Sequence, residues 1–437
     1  MRRAIERVVV LGANGAMGAG SGAVFAGAGL PTVFLARSRD KAAAGVARAE
    51  QMLKSSAIRS LIEVGDYEQD LERAVAGADL VFEAVAEDLD TKREFFERVD
   101  RHRKADAIVA TVSSGLSIAA MARGRSEGFR RAFLGMHFYN PANVIVGCEL
   151  VPHAGTDPEV TAFARGFLAG RCGREVVETA DTPAFAGNRV GFRVLNEVAQ
   201  LAEEHGVERL DALLGPHTGR AMPPLATIDF VGWDVHRAIV DNLWAATADE
   251  AHAAFELPGY MARLIAAGHL GNKTPGRGGF FRAEGKLRLG LDPRSGDYRP
   301  LAGGALELPP FVAQMKSLHR VGRYRDAFDA LAAAIGPEAE LVRRVLLGYV
   351  SYGLARAADG VVREVRDVDR IMGFGFNWAP PGLLADVIGP RRTATLLERA
   401  RLPVPPALIE AIERRRPLFD EPNVDRGRFF HGQGGSL

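Results

Sequence analysis

His137 and Glu149 are the residues whose types and spacing first suggest chemistry. His137 leads into Phe138-Tyr139-Asn140-Pro141, and Glu149 follows inside the apolar run Val146–Val151. A strand, a proline turn and a returning strand would bring the two side chains together. A carboxylate fixes the tautomer of an imidazole and stabilises its protonated form, which suits a general base taking a proton from an alcohol. Residue type alone favours a structural role for a histidine in a buried strand, so the pair needs support from elsewhere in the chain.

A second candidate is the loop Gly12-Ala13-Asn14-Gly15-Ala16-Met17-Gly18, which follows the apolar residues 7–11 and opens a stretch of small residues. Glycine lets a backbone approach a pyrophosphate closely, and an opening helix offers unpaired N–H groups to its charge. The form is G-x-x-G-x-x-G, one residue longer than the usual dinucleotide fingerprint. Gly12, Asn14, Gly15, Ala16, Met17 and Gly18 are therefore read as contacts to a dinucleotide. An acid about 20 positions further on normally binds the ribose 2′-hydroxyl of NAD. This chain has Ala36-Arg37-Ser38-Arg39 there, with no acid before Asp40. Arg37 and its neighbours could bind a 2′-phosphate by charge-assisted hydrogen bonds, or be plain solvated arginines, so NAD and NADP both stay open.

The elements that must position these residues follow from the apolar pattern. Short runs at 7–11, Pro31–Ala36, Asp79–Ala84, Ala107–Val112 and Phe133–Phe138 read as strands buried on both faces, with helical stretches between them. Strand–helix alternation of this kind means an α/β domain, an N-terminal Rossmann-like doubly wound sheet spanning 1–186. From Asn188 the pattern is long and helical, giving a helical domain over 187–290. Leu291–Pro310, rich in Gly and Pro, reads as a linker. A second helical copy over 311–420 is expected, because Pro223–Gly232 and Pro380–Gly389 share the form P-P-x-x-x-x-D-x-[VI]-G. The same offset carries Asn188 onto Val345, so the second copy is read as structural. The tail Asn423–Leu437 is expected to be poorly ordered.

Composition bounds the rest. A chain of 437 residues calls for two or three domains. With 55 basic and 54 acidic side chains the formal net charge is +1, which offers no general field to nucleic acid or an anionic membrane, and neither partner is expected. Cys148 and Cys172 are the only cysteines, without metal-ligand spacing, so no metal site is expected and a reducing compartment fits. The apolar run after the basic start is too short for a secretory signal, and none reaches the roughly 18 residues of a membrane span. A cytoplasmic protein is the expectation.

Several ordered motifs together resemble a known family. His137-Phe138-Tyr139-Asn140-Pro141 and Asp181-Thr182-Pro183-x-Phe185-x-x-Asn188-Arg189 are similar to the 3-hydroxyacyl-CoA dehydrogenases of fatty-acid β-oxidation. So are Glu83–Leu89, Ser113–Ile118, Met222–Gly232 and Gly271–Thr274. The resemblance runs from residue 8 to about 281 and implies an NAD-dependent oxidoreductase with an acyl-CoA substrate. It would make His137 the catalytic base and Glu149 the residue that orients and charges it, with Ser114 and Asn188 bonded to the reacting oxygen. It aligns Glu87, Lys92, Ser114, Asn140 and Lys273 with cofactor contacts.

The sequence departs from the family at Ala36, where an Asp is usual, at the longer glycine loop, and at Val112 in place of an Asn. The continuation resembles longer β-oxidation proteins in which a hydratase domain follows; the sequence ends before such a domain, so hydratase activity is not implied. A second helical copy standing in for a partner subunit would give a monomer with an internal pseudo-dimer; the family default is a homodimer. Competing readings are a dehydrogenase of another 3-hydroxy acid or of a carrier-bound acyl thioester, and a non-catalytic dinucleotide-binding protein.

Overall fold

Alternate residues of β1 (Val8–Leu11) enter two different cores, Val8 and Val10 one and Val9 and Leu11 the other. An apolar run without polar alternation is what a strand covered on both faces requires. The computed structural model of the chain describes residues 4–419 and 426–430 and divides them into two compact units. The described residues up to Phe185 with Val361–Arg363 form one, and Ala186–Gly360 with those from Glu364 onward the other. The tail expected to be poorly ordered lies largely outside the described residues.

In the first unit β1 is followed by α1 (Ala16–Gly27), β2 (Thr32–Ala36), α2 (Arg39–Leu53), β3 (Ile62–Asp66), α3 (Leu71–Gly77), β4 (Leu80–Glu83), α4 (Leu89–His102) and β5 (Ile108–Thr111). Then come α5 (Ile118–Ala122), α6 (Glu127–Ala132), β6 (Phe133–Phe138), β7 (Gly147–Pro152), α7 (Pro158–Gly170) and β8 (Glu175–Glu178). The eight strands form one sheet in the order β3-β2-β1-β4-β5-β6-β7-β8, parallel except where β6 meets β7. β1 lies between β2 and β4, so the chain reverses its direction of travel across the sheet there. In open α/β sheets a ligand crevice forms at such a point, outside the carboxyl ends of the strands. β3 and β8 were not foreseen, because Ile62-Glu-Val-Gly-Asp66 and Glu175-Val-Val-Glu178 are short and partly polar edge strands.

The second unit begins with α8 (Gly187–His205), α9 (Val207–Leu213), α10 (Pro224–Val231), α11 (Trp233–Ala246) and α12 (Gly259–Ala266). The expected linker is corrected in part: β9 (Phe281–Glu284), β10 (Leu287–Leu291) and β11 (Tyr298–Pro300) form a small antiparallel sheet. Tight turns bring these short strands together, and Gly285, with φ 60°, makes one of them. α13 (Pro310–Arg320), α14 (Tyr324–Ala333), α15 (Pro337–Ala355), α16 (Val365–Ile371), α17 (Pro381–Ile388), α18 (Pro390–Arg399) and α19 (Pro406–Glu413) follow.

The repeat has a physical basis. Asp211 accepts hydrogen bonds from Leu225 and Ala226 N at the start of α10, and Asp369 accepts them from Gly382 and Leu383 N at the start of α17. Prolines before each helix supply no donors, and the buried carboxylates satisfy the first free N–H groups. Asp229 likewise accepts from Phe280 and Phe281 N, as Asp386 does from Leu418 and Phe419 N. The copies differ in length earlier: residues 356–364 separate α15 from α16, where Gly206 alone separates α8 from α9. A constant offset therefore does not reach Asn188, and Val345 is not its counterpart. α15 contains no asparagine at any position.

Candidate active site and cofactor cleft

The antiparallel register of β6 and β7 sets His137 directly opposite Glu149. Opposed residues in such a ladder project to the same face. His137 Nδ1 lies 2.7 Å from Glu149 Oε2, and both side chains are buried. With Nδ1–H given to the carboxylate, Nε2 keeps the lone pair and is the nitrogen that can accept a proton. Tyr139 O–H donates to the same Oε2 at 2.7 Å. Burial, and then the charge of Glu149, push the Tyr139 hydroxyl well above the usual phenol range, so it remains a donor. The imidazole also packs against the rings of Tyr139 and Phe185. Sequence reasoning missed Tyr139, which lies just past the end of β6, where strand alternation no longer fixes the face that a side chain takes.

The glycine loop stands at the carboxyl end of β1, on the same edge of the sheet. Gly12 has φ 77°, and a Cβ there would come within 2.2 Å of Ala84 O just beyond β4. Gly18 is pressed against Gly12 in the same way. Neither position admits another residue without moving backbone. At the N-terminus of α1, Gly15 is the cap, no side chain bonds the free N–H groups, and the first turn carries no acid. A helix start left open in this way fits a pyrophosphate. Among the loop residues Ala16 is exposed, Asn14, Gly15 and Met17 are half-buried, and Arg48 holds Asn14 O at 2.9 Å.

At the end of β2 the three polar residues have separate fates. Ser38 caps α2 through Lys41 N, and Arg39 pairs with Asp70 at 2.6 Å and reaches Asp66 at 3.8 Å. Arg37 alone is exposed without a carboxylate partner among the described residues.

Lys92, aligned with cofactor contacts, is 1% exposed, and its ammonium is shared by Glu83 at 2.8 Å and Glu87 at 3.3 Å. In this structure its ammonium faces these two carboxylates. The alternation of β4 turns Glu83 inward beneath the loop, and a buried cation has to follow it. Glu87 accepts from Ser113 Oγ at 2.6 Å and from Ser114 N at 2.8 Å, and so grips the loop that bears Ser114. Asn140 is exposed just past β6. Asp181 accepts from Ile118 N, Ala119 N and Ser117 Oγ, so the Asp-Thr-Pro turn caps α5. Asn188, in the first turn of α8, and Lys273, paired with Asp234 at 2.7 Å, belong to the second unit. No group of metal-ligating side chains occurs among the described residues, and no helix among them is long and apolar enough to cross a membrane.

A doubly wound sheet with a glycine loop at its point of reversal and a carboxylate-backed histidine on the same edge defines a dinucleotide-dependent oxidoreductase class. Residues 7–182 match the family model described as 3-hydroxyacyl-CoA dehydrogenase, NAD binding domain, and residues 185–280 that of the C-terminal domain. The chain belongs to the 3-hydroxyacyl-CoA dehydrogenase family. It is 34% identical over 292 residues to a probable 3-hydroxyacyl-CoA dehydrogenase of Deinococcus radiodurans, covering 64% of this chain and 83% of that one. It is 28% identical to a probable 3-hydroxyacyl-CoA dehydrogenase of Bacillus subtilis across 96% of its own length, and spans 55% of that longer protein. Among solved structures, 3-hydroxybutyryl-CoA dehydrogenase from Escherichia coli shares the fold over 95% of this chain and 97% of that one, at 22% identity and a TM-score of 0.68. (S)-3-hydroxybutyryl-CoA dehydrogenase from Ralstonia eutropha matches 62% of this chain and 97% of its own, at 27% identity and a TM-score of 0.56.

Proposed function

We propose that this chain interconverts an (S)-3-hydroxyacyl-CoA and the 3-ketoacyl-CoA with a nicotinamide dinucleotide, as in fatty-acid β-oxidation. The observation that carries the reading is the 2.7 Å contact between His137 Nδ1 and Glu149, on the sheet edge that also bears the glycine loop. His137 Nε2 takes the proton of the C3 hydroxyl, and Glu149 stabilises the imidazolium that results. In the opposite direction the same nitrogen returns that proton to the ketone oxygen. Ser114 and Asn188 are assigned by family position to hydrogen-bond this oxygen. Gly12, Asn14, Gly15, Ala16, Met17 and Gly18 would hold the dinucleotide, and Glu87, Asn140 and Lys273 are assigned to it by family position. The bound nicotinamide supplies the hydride transfer.

NAD is the cofactor that the family match favours. One observation keeps NADP as a second reading: Ala36 leaves no carboxylate to repel a 2′-phosphate at the end of β2, and Arg37 beside it has no carboxylate partner among the described residues. The second helical copy is read as structural, standing where a partner subunit would contribute.

Following the reduced-nicotinamide absorbance with acetoacetyl-CoA and either NADH or NADPH tests the proposal. Wild type is expected to oxidise at least one of them, and His137→Ala to lose about 10²-fold or more. Turnover only with a carrier-bound or non-thioester 3-keto acid would move the substrate assignment, and binding without any turnover would leave a non-catalytic dinucleotide protein.

A further inference from the structure

Beneath the Ser113–Ser114 loop lies a buried polar chain that takes no part in the acid–base scheme. Glu83 ends β4 and Thr111 ends β5, and the register of these neighbouring strands sets them side by side. Both are fully buried. Thr111 Oγ1 donates to Glu83 Oε2 at 2.6 Å and accepts from Ser113 N at 3.1 Å. The other oxygen of Glu83 accepts from Val85 N at 2.7 Å and from Lys92 Nζ at 2.8 Å. Lys92 then meets Glu87, which holds Ser113 Oγ and Ser114 N. Two routes therefore run from one buried carboxylate to the backbone that carries Ser114. The same Glu83-Ala84-Val85 segment is the one against which Gly12 is pressed. Through that close approach of Gly12 the network borders the glycine loop, and Gly12 N donates in turn to the Tyr67 hydroxyl oxygen at 2.9 Å.

A network of this type has one evident use. Buried ion pairs contribute little net stability, whereas fully satisfied buried polar groups rigidify what they touch. We infer that Thr111, Glu83 and Lys92 are positioning residues that fix the Ser113–Ser114 loop, and through it the Ser114 hydroxyl, for the reacting oxygen. The inference rests on the dehydrogenase reading above. It gives Lys92, whose ammonium is shared by Glu83 and Glu87, a part in holding the loop. It also gives the loop a rigid base where Val112 provides no polar group of its own.

Thr111→Val removes the shared hydroxyl at constant size, Thr111→Ser restores it, and Lys92→Met removes the cation. Steady-state rates with acetoacetyl-CoA and NADH, and NADH affinity by fluorescence titration, are measured for each. Thr111→Val and Lys92→Met are expected to lower kcat about tenfold or more, because a displaced catalytic group loses rate rather than affinity. Their NADH Kd and acetoacetyl-CoA KM should stay within about twofold of wild type, and Thr111→Ser should recover kcat to within about threefold. Lys92→Met that weakens NADH binding while kcat is kept would overturn the inference, since Lys92 would then touch the cofactor. Thr111→Val with wild-type kcat would overturn it as well, and decides the matter alone if Lys92→Met does not fold. Wild type that binds NADH without oxidising it defeats the underlying functional reading; active wild type with insensitive variants defeats the positioning role only.

Discussion

His137 and Tyr139 share a single oxygen: both bond to Glu149 Oε2, each at 2.7 Å. The carboxylate that charges the imidazole is thus steadied by a neutral phenol donor, and the two are not equivalent. Tyr139→Phe removes one donor and leaves the tautomer of His137 fixed. Its kcat is expected to fall about threefold to tenfold with NADH binding unchanged, whereas Glu149→Gln should lose about 10²-fold or more. Equal losses in the two variants would mean that the phenol, not the tautomer, is the controlling feature.

Arg37 offers a direct test of cofactor choice. Fluorescence titration of Arg37→Asp with NADH and NADPH should show NADPH affinity falling more than tenfold further than NADH affinity, because a new carboxylate repels a 2′-phosphate and can accept from a 2′-hydroxyl. A parallel change in both would remove NADP from consideration.

Within the helical unit, Arg356 is wholly buried and joins the two copies by pairing with Asp249 at 3.2 Å and Asp359 at 2.8 Å. Asp249 also accepts from Arg189 at 2.7 Å and from Tyr352 at 2.7 Å. Arg356→Met strands part of this negative charge and should cost about 3 kcal/mol in urea unfolding. A loss below about 1 kcal/mol would show that Arg189 and Tyr352 satisfy Asp249 unaided.

The capping carboxylates predict a pH dependence of stability. Burial pushes Asp211 and Asp369 up to about 7, against the downward pull of their backbone N–H bonds. An unfolded chain gives up these protons near about 4, so between about 4 and 7 the folded state holds protons that the unfolded state has lost. Their contribution is present in acid and declines as pH rises through 7. The stability of wild type relative to Asp211→Asn/Asp369→Asn should therefore fall by about 5 kcal/mol, the two groups together, between pH 5 and 8. His217 and His236, pushed down to about 3 by burial, act with the opposite sign but are common to both proteins and cancel in the difference. A flat difference would place the two carboxyls near their ordinary range.

Cofactor stoichiometry checks the reading of the second copy. One doubly wound sheet occurs among the described residues, and α15 has no asparagine, so calorimetric titration should find one tight dinucleotide site per chain. Two would require a site that the repeat does not build.

Much of this was legible in the residues themselves. Local chemistry wrote the glycine loop, the strand–helix alternation, the His137–Glu149 pairing and the doubled Pro-Pro helix start into the sequence, because each depends on residue types at short spacing. What the tertiary structure alone decided concerns partners brought together across the sheet. Sequence spacing does not say that Arg39 is consumed by Asp70, that Lys92 turns inward to Glu83, or that Tyr139 joins Glu149. The reason is that a buried charge takes whatever complement the fold places within reach, and strand order, which no local pattern encodes, determines that complement.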